Sequence, residues 1–327
     1  MKNIHNFENQ QQFNDYRYSN KYIEPSVSLI QNGNKLEYND LSDEYWTNQP
    51  LTFEILSDGN ILWKNISNAN ALSIDYKINN GNWTSITSTT SGTIINVSSG
   101  DILQFIGNNS SYGTATNKYC YFASTANFLA KGNIMSLINS ANFSNLTVLS
   151  TYYTFTHLFT DCKNLIDAGK LILPALELSG YCYANMFESC TNLVNAPKLP
   201  ATTLATFCYS TMFSSCTSLI NAPELPATTL ATYCYRYMFN NCDSLTIAPT
   251  LPATSLKTMC YDSMFFGANN IKYIKAMFTT TPSTSYTNTW VSGVASTGTF
   301  VKNSAATWNV TGVHGIPSGW TVETATA

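Results

Sequence analysis

Apolar and polar positions follow two different rhythms along this chain. From Leu51 to about residue 130 the period is two. The runs are Leu51 to Leu56, Ile61 to Lys64, Leu72 to Tyr76, Trp83 to Ile86, Thr93 to Val97 and Ile102 to Ile106. Turn clusters separate them: Ser57-Asp-Gly-Asn60, Asn79-Asn-Gly81, Ser91-Gly92 and Ser99-Gly-Asp101. Alternating runs punctuated this way predict a small antiparallel β-sandwich over 51–132, with Asn80-Gly81 closing a hairpin. Tyr119 to Phe122 and Asn127 to Ala130 supply its last strands, and Trp63 and Trp83 read as core.

Later the rhythm changes to a repeat. Tyr181-Cys-Tyr-Ala-Asn-Met-Phe187 aligns with segments starting at Phe207, Tyr233 and Met259, each 26 residues after the last by subtraction. Cys182, Cys208, Cys234 and Cys260 keep this step, as do Cys190, Cys216 and Cys242. Pro174-Ala175, Pro200-Ala201, Pro226-Ala227 and Pro252-Ala253 keep it too. An incomplete copy with Cys162 precedes them, and the last copy has Ala268 where the others have cysteine. Degenerate end copies are what a stacked array needs as caps.

On a helical wheel of about 100° per residue, Tyr209, Met212, Phe213 and Cys216 share one face. Ser210, Thr211, Ser214 and Ser215 occupy the other. The pattern predicts an amphipathic helix in each copy, entered through Thr202-Thr203 and its equivalents as N-caps. Pro223 and Pro226 then force an extended segment. The fold class expected is therefore mixed β and α/β. An N-terminal arm and an antiparallel β-sandwich lead into a leucine-rich-repeat-like solenoid of 26-residue units over 133–276, closed by a β-rich cap over 277–327.

Residues 1–50 are rich in Asn, Gln and Tyr, with alternation only in bursts such as Val27 to Ile30. Such a segment cannot offset its own ordering entropy. It reads as a mounting and oligomerisation arm that orders against another chain. The first twenty residues hold no apolar run typical of a secretory leader, so a chain kept in a reducing compartment is expected.

Composition narrows the function. Charged residues are 11% of 327, net charge is −3 with 16 Lys and Arg, and Ser, Thr and Asn together make roughly a third. That leaves no basic footprint for nucleic acid, and no apolar run long enough for membrane insertion.

Nine cysteines cannot all pair within one chain. Cys182, Cys190, Cys208, Cys216, Cys234, Cys242 and Cys260 fall on the inward face of every unit beside Met and aromatic residues. Their spacing favours inert core thiols over a metal site, since no histidine recurs with them and zinc wants tighter ligand pairs. His5, His157 and His314 lie far apart, and no catalytic triad, phosphate loop or cofactor motif is present. No enzymatic activity, metal or cofactor is expected. The candidate binding surface is the row of variable outward positions Ala184, Asn185, Ser210, Thr211, Arg236, Tyr237, Asp262 and Ser263, anchored by Arg236 and Tyr237.

The unit CY-x-x-MF-x-x-C-x-SL-x-x-AP-x-LPATTLA resembles leucine-rich repeats of the Bacteroides surface-protein type, in the variant found in virion proteins of crAss-like phages. The arm around Tyr22 to Ile30 and Leu36 to Asn39 is similar to N-termini of such proteins. So are the opening at Pro50 to Phe53 and the ending from Trp290 through Gly315 to Val322. Ala168-Gly169 departs from the Ala-Pro step, which leaves the strand register of the first copy open. The resemblance implies a head or tail fibre, decoration or adhesion protein in a virion, made in the host cytoplasm. Residues 1–50 would meet other virion proteins, the repeats would meet a host glycan or protein, and the assembly would be a homotrimer. A bacterial cell-surface adhesin is the alternative.

Overall fold

The structure is a computed structural model. It describes residues 42–325 and, for backbone alone, 6–7, 27–32 and 35–40. Those backbone segments are β1 (Asn6–Phe7), β2 (Val27–Asn32) and β3 (Lys35–Asp40), which pair antiparallel in the order β1-β3-β2. The rest of the arm, with His5, lies outside the described residues.

A short helix, α1 (Asp43–Thr47), buries Trp46, and its Asp43 pairs with Lys198. The alternating runs that follow become strands: β4 (Leu51–Ile55), β5 (Gly59–Asn65), β6 (Ser73–Ile78), β7 (Thr84–Thr87), β8 (Thr93–Val97), β9 (Ile102–Ile106), β10 (Gly113–Ala115), β11 (Lys118–Ser124) and β12 (Phe128–Asn133). Together with β13 (Leu165–Ile172) they form a six-stranded sheet, β13-β12-β4-β9-β6-β7, and a four-stranded sheet, β10-β11-β5-β8. Alternation puts Phe53 and Phe105 of the first sheet against Phe122 of the second, with ring centroids 5.1 and 5.0 Å away. Trp63 is fully buried there, whereas Trp83 is 41% exposed under Lys77.

The repeats contain no α-helix. About 28% of the structure is strand and 4% helix, which overturns the mixed β and α/β class and its leucine-rich-repeat-like solenoid. Each expected helix is a ribbon of overlapping β-turns. Cys182, Ala184, Met186 and Glu188 donate their N–H to the carbonyl three residues back. Tyr183, Asn185, Phe187 and Ser189 donate instead to Cys208, Ser210, Met212 and Ser214 of the next layer, at 2.8–3.0 Å. Every fourth residue is left-handed: Tyr181, Asn185 and Ser189 have φ of 59°, 58° and 60°, and the equivalents at 207, 211 and 215 repeat this. A four-residue period differs from 3.6 by too little to show over nine residues, so the ribbon buries the same stripe a helix would. The outward Ser, Thr and Asn are poor helix formers, and the ribbon adds a second set of hydrogen bonds between layers. The candidate N-cap Thr203 instead bridges in parallel to Thr229.

The extended segments also stack in parallel, but Asn195↔Asn221 and Thr203↔Thr229 are only isolated bridges. Proline explains this, because Pro197, Pro200, Pro223 and Pro226 have no N–H to donate. Continuous ladders appear at the ends of the stack, where the Ala-Pro step is missing. At the front, β13 carries Ala168-Gly169 and pairs parallel with β12 through two register shifts. At the back, β14 (Tyr273–Ala276), β15 (Thr299–Lys302) and β16 (Thr321–Thr324) form a parallel three-stranded sheet.

One core runs through all of it. Phe122 stacks on Phe159 at 5.8 Å, and the column continues through Phe187, Phe213, Phe239 and Phe265 at 5.4–5.9 Å. A second column runs from Tyr112 through Phe155, Tyr183, Tyr209 and Tyr235 to Tyr261 at 5.8–6.0 Å. Trp290 sits across the far end of both.

Candidate functional site

The turn ribbons set their outward side chains in rows, and one row lines a groove. Its volume is about 470 Å³, and its floor and walls come from four successive layers and the loop between β10 and β11. His157 belongs to the first layer, Tyr181, Ala184 and Asn185 to the second, Phe207, Ser210 and Thr211 to the third, and Arg236 to the fourth. Thr116 closes the end beside the β-sandwich.

Five of the eight nominated binding residues therefore converge: Ala184, Asn185, Ser210, Thr211 and Arg236. Tyr237, Asp262 and Ser263 adjoin the same row without lining the groove. The expectation that all eight face outward needs correcting. Ala184, Ser210, Asp262 and Ser263 are buried, at 1%, 7%, 3% and 3% exposure; the first three immediately precede a left-handed residue and Ser263 is one itself, and layers packed this closely cover them.

Asp262 is a structural partner. Arg236 Nε donates to its Oδ2 at 2.8 Å, while Asn288 and Ser263 donate to Oδ1, both at 3.1 Å. Partial burial alone would lower the Arg236 pKa; the hydrogen bond and charge of Asp262 outweigh it and hold the guanidinium above its ordinary value. The guanidinium also lies over the rings of Tyr233 and Tyr237, at 5.4 and 4.8 Å. Much of its charge is thus spent inside the protein.

Along one wall, Tyr153, Tyr181, Phe207 and Tyr233 stack face to face at 4.5–4.7 Å. Their faces are occupied by one another, so the groove meets ring edges.

The residue that sequence reasoning left aside is His157. It is left-handed at φ 57°, and its ring lies flat on Tyr119, centroids 4.0 Å apart. Neither ring nitrogen has a hydrogen-bond partner among the described residues. The nearest charge is Glu188 Oε2, 4.0 Å from Nδ1, and this carboxylate is taken up by Asn185 Nδ2 at 2.9 Å. Burial pushes the imidazole down to about 4, against a small pull from the Thr116 backbone that falls short of a proper hydrogen bond. His157 is thus neutral near pH 7. A lone histidine in a Thr-rich segment carries no motif, and only the meeting of hairpin and first layer reveals it.

The thiols have different surroundings. All nine are free and buried, and burial raises each one, Cys162 and Cys182 to about 12. No group of three or more His, Cys, Asp or Glu able to hold a metal occurs among the described residues.

No protein-family model, curated protein or solved structure matches this chain.

Proposed function

We propose that the chain is a non-enzymatic structural component of a phage virion, a fibre or decoration protein that displays the groove-bearing face of its repeats for binding. The observation that carries the binding part is the convergence of side chains from four layers and the β-sandwich on one concavity. The layers are tied to each other and to the sandwich by backbone hydrogen bonds, so the groove is pre-formed and its ligand need not organise it. Core thiols kept protonated by burial are poor nucleophiles, which favours display over chemistry. The virion setting rests on the repeat motif and on the resemblance of the arm and the C-terminal segment to phage structural proteins. Residues 1–50 would mount the chain on other virion proteins, as a homotrimer.

Mass spectrometry of particles purified from a lysate of the phage that carries this sequence tests the proposal. Stoichiometric presence in density-banded particles is the expected result. Absence from particles, with the chain recovered from host membranes, would favour the surface-adhesin alternative.

A further inference from the structure

The turn ribbons form one side of the stack and the extended Ala-Pro segments another. On that second side, the segments that follow the third and fourth ribbons enclose a concavity of about 320 Å³. Its lining includes Ala222, Pro223, Glu224, Pro226, Pro249 and Pro252. The four prolines present apolar rings and no amide donor. Ile220 and Ile247, two residues before Ala222 and Pro249 in the same segments, are 48% and 59% exposed. Glu224 is exposed too, and it makes no hydrogen bond or ion pair with a described residue. The face is thus apolar, uncovered and marked by one carboxylate.

The start of the same face is already covered. Glu224 stands 26 residues after Lys198 by subtraction, so it holds the same place one layer further on. Lys198 pairs with Asp43 of α1, and Lys170 of β13 lies 3.9 Å from the same carboxylate. The chain that runs into α1 therefore approaches beside the concavity. The hairpin before α1 brings a second stretch to the same place. Val27 of β2 lies opposite Asp40 of β3, and Asp40 is two residues before Ser42, the cap of α1. Lys21 and Arg17 stand six and ten residues before Val27 by subtraction, which gives them reaches of roughly 20 and 33 Å. Layers are about 4.8 Å apart, so both layers of the concavity fall within that span.

Residues 16–22 read Tyr-Arg-Tyr-Ser-Asn-Lys-Tyr. Proline rings and aromatic rings recognise each other in grooves that bind proline-rich peptides. Here prolines line the groove, so aromatic side chains are the fitting ligand. Arg17 and Lys21 supply positive charge for Glu224 on stems that can lie along apolar surface. The other cations of residues 1–41, Lys2 and Lys35, have no tyrosine within two residues, which singles out 16–22.

We propose that residues 16–22 dock on the proline face of their own chain, with tyrosine rings in the concavity between layers three and four and Arg17 or Lys21 paired to Glu224. The inference goes beyond the virion reading: it concerns contacts within one chain and stands or falls whether or not the chain is found in particles.

The test measures trypsin cleavage after Arg17 and Lys21 in the full-length chain, against a synthetic peptide of residues 13–24. Docking should slow both cuts by at least about tenfold relative to the peptide, since cleavage then tracks the undocked population. Glu224→Lys should restore fast cleavage. Its fold should hold by circular dichroism, because layer two carries Lys198 at this position. Carbodiimide coupling should also join Lys21 to Glu224, and a mixture of isotopically light and heavy chains should yield no mixed-mass product. Cleavage as fast as in the peptide would overturn the proposal. Protection unchanged in Glu224→Lys would place the segment elsewhere and overturn it as well. Mixed-mass links would assign the contact to a second copy and refute docking within one chain.

Discussion

Replacing Ser215 with glycine should stabilise the protein, although the same change in a helix would weaken it. Ser215 is half-buried at φ 60°, and its N–H donates to Asn240 O of the next layer at 2.7 Å. An L-residue held in this left-handed region costs roughly 1–2 kcal/mol. Glycine removes that strain and gives back about 0.5–1 kcal/mol in lost unfolded-state freedom. The net gain is about 0.5–1 kcal/mol. In a helix the same substitution would cost about half a kcal/mol, so the two architectures differ in sign. The chain contains its own precedent, because Gly267 (φ 72°) and Gly293 (φ 85°) stand 52 and 78 residues further along the same column, two and three 26-residue steps by subtraction. Guanidinium unfolding followed by tryptophan fluorescence and circular dichroism would read the midpoints of wild type, Ser215→Gly, Ser215→Ala and Ser215→Val. The order expected is Gly highest and Val lowest, since a β-branched side chain is least tolerated at positive φ. A Gly midpoint below wild type, with Ala above it, would refute the turn ribbon.

Three further outcomes follow from the core and the groove. A thiol-specific disulfide reagent at pH 8 should label none of the nine cysteines in the native protein and all nine in guanidinium, since burial holds thiols such as Cys162 and Cys182 near 12; rapid native labelling of the 182–260 column would contradict the packing. His157 falls to about 4 from 6.5, so below pH 6.5 the unfolded chain takes up a proton that the folded one refuses. Stability should fall from pH 6.5 to 4 by up to about 3 kcal/mol from this group, opposed in part by Glu188, whose carboxyl burial raises; His157→Phe should flatten that slope, and an unchanged slope would show the imidazole to be solvated. Tyr209→Phe should raise stability by about 1 kcal/mol, because its hydroxyl is buried without a partner among the described residues and Phe155 already fills the same column; destabilisation would reveal a hidden partner such as an internal water.

The strands from Leu51 to Ala130 were legible because period-two alternation has no competing explanation at that length. The inward set of Cys, Tyr, Met and Phe was legible for a related reason: any regular coil that buries one stripe selects those positions. What the pattern could not distinguish was the coil itself. Residues 182, 183, 186, 187 and 190 lie on one face whether the period is 3.6 or 4, and the left-handed Tyr181, Phe207 and Tyr233 carry side chains that do not advertise positive φ. Ser263 and Gly267, one step apart in the last full ribbon, were the available hint. The site was half legible. Variable polar positions marked Asn185, Thr211 and Arg236, yet the burial of Asp262 beneath Arg236 and the approach of the β10–β11 loop to His157 are contacts across 26 residues or more, which local periodicity does not encode.

The recurrence of cysteine, rather than alanine or serine, at the foot of each ribbon has a physical basis in the carbonyls it meets. Phe187 O accepts the N–H of Cys190 in its own layer and, at 3.1 Å, the thiol of Cys216 in the next. Phe159 O does the same with Cys162 N–H and the Cys190 thiol, and Phe213 O with Cys216 N–H and the Cys242 thiol. Each thiol thus supplies a second, inter-layer bond to a buried carbonyl and fills its space with a polarizable atom that costs little to desolvate. Serine would cost more to bury and its shorter reach would fall away from the carbonyl; alanine would leave the lone pair unmet. The series stops at Ala268, where Phe239 O has no thiol from the following layer and the column ends against Trp290. Cys190, Cys216 and Cys242 are best understood as rungs that lock one layer to the next.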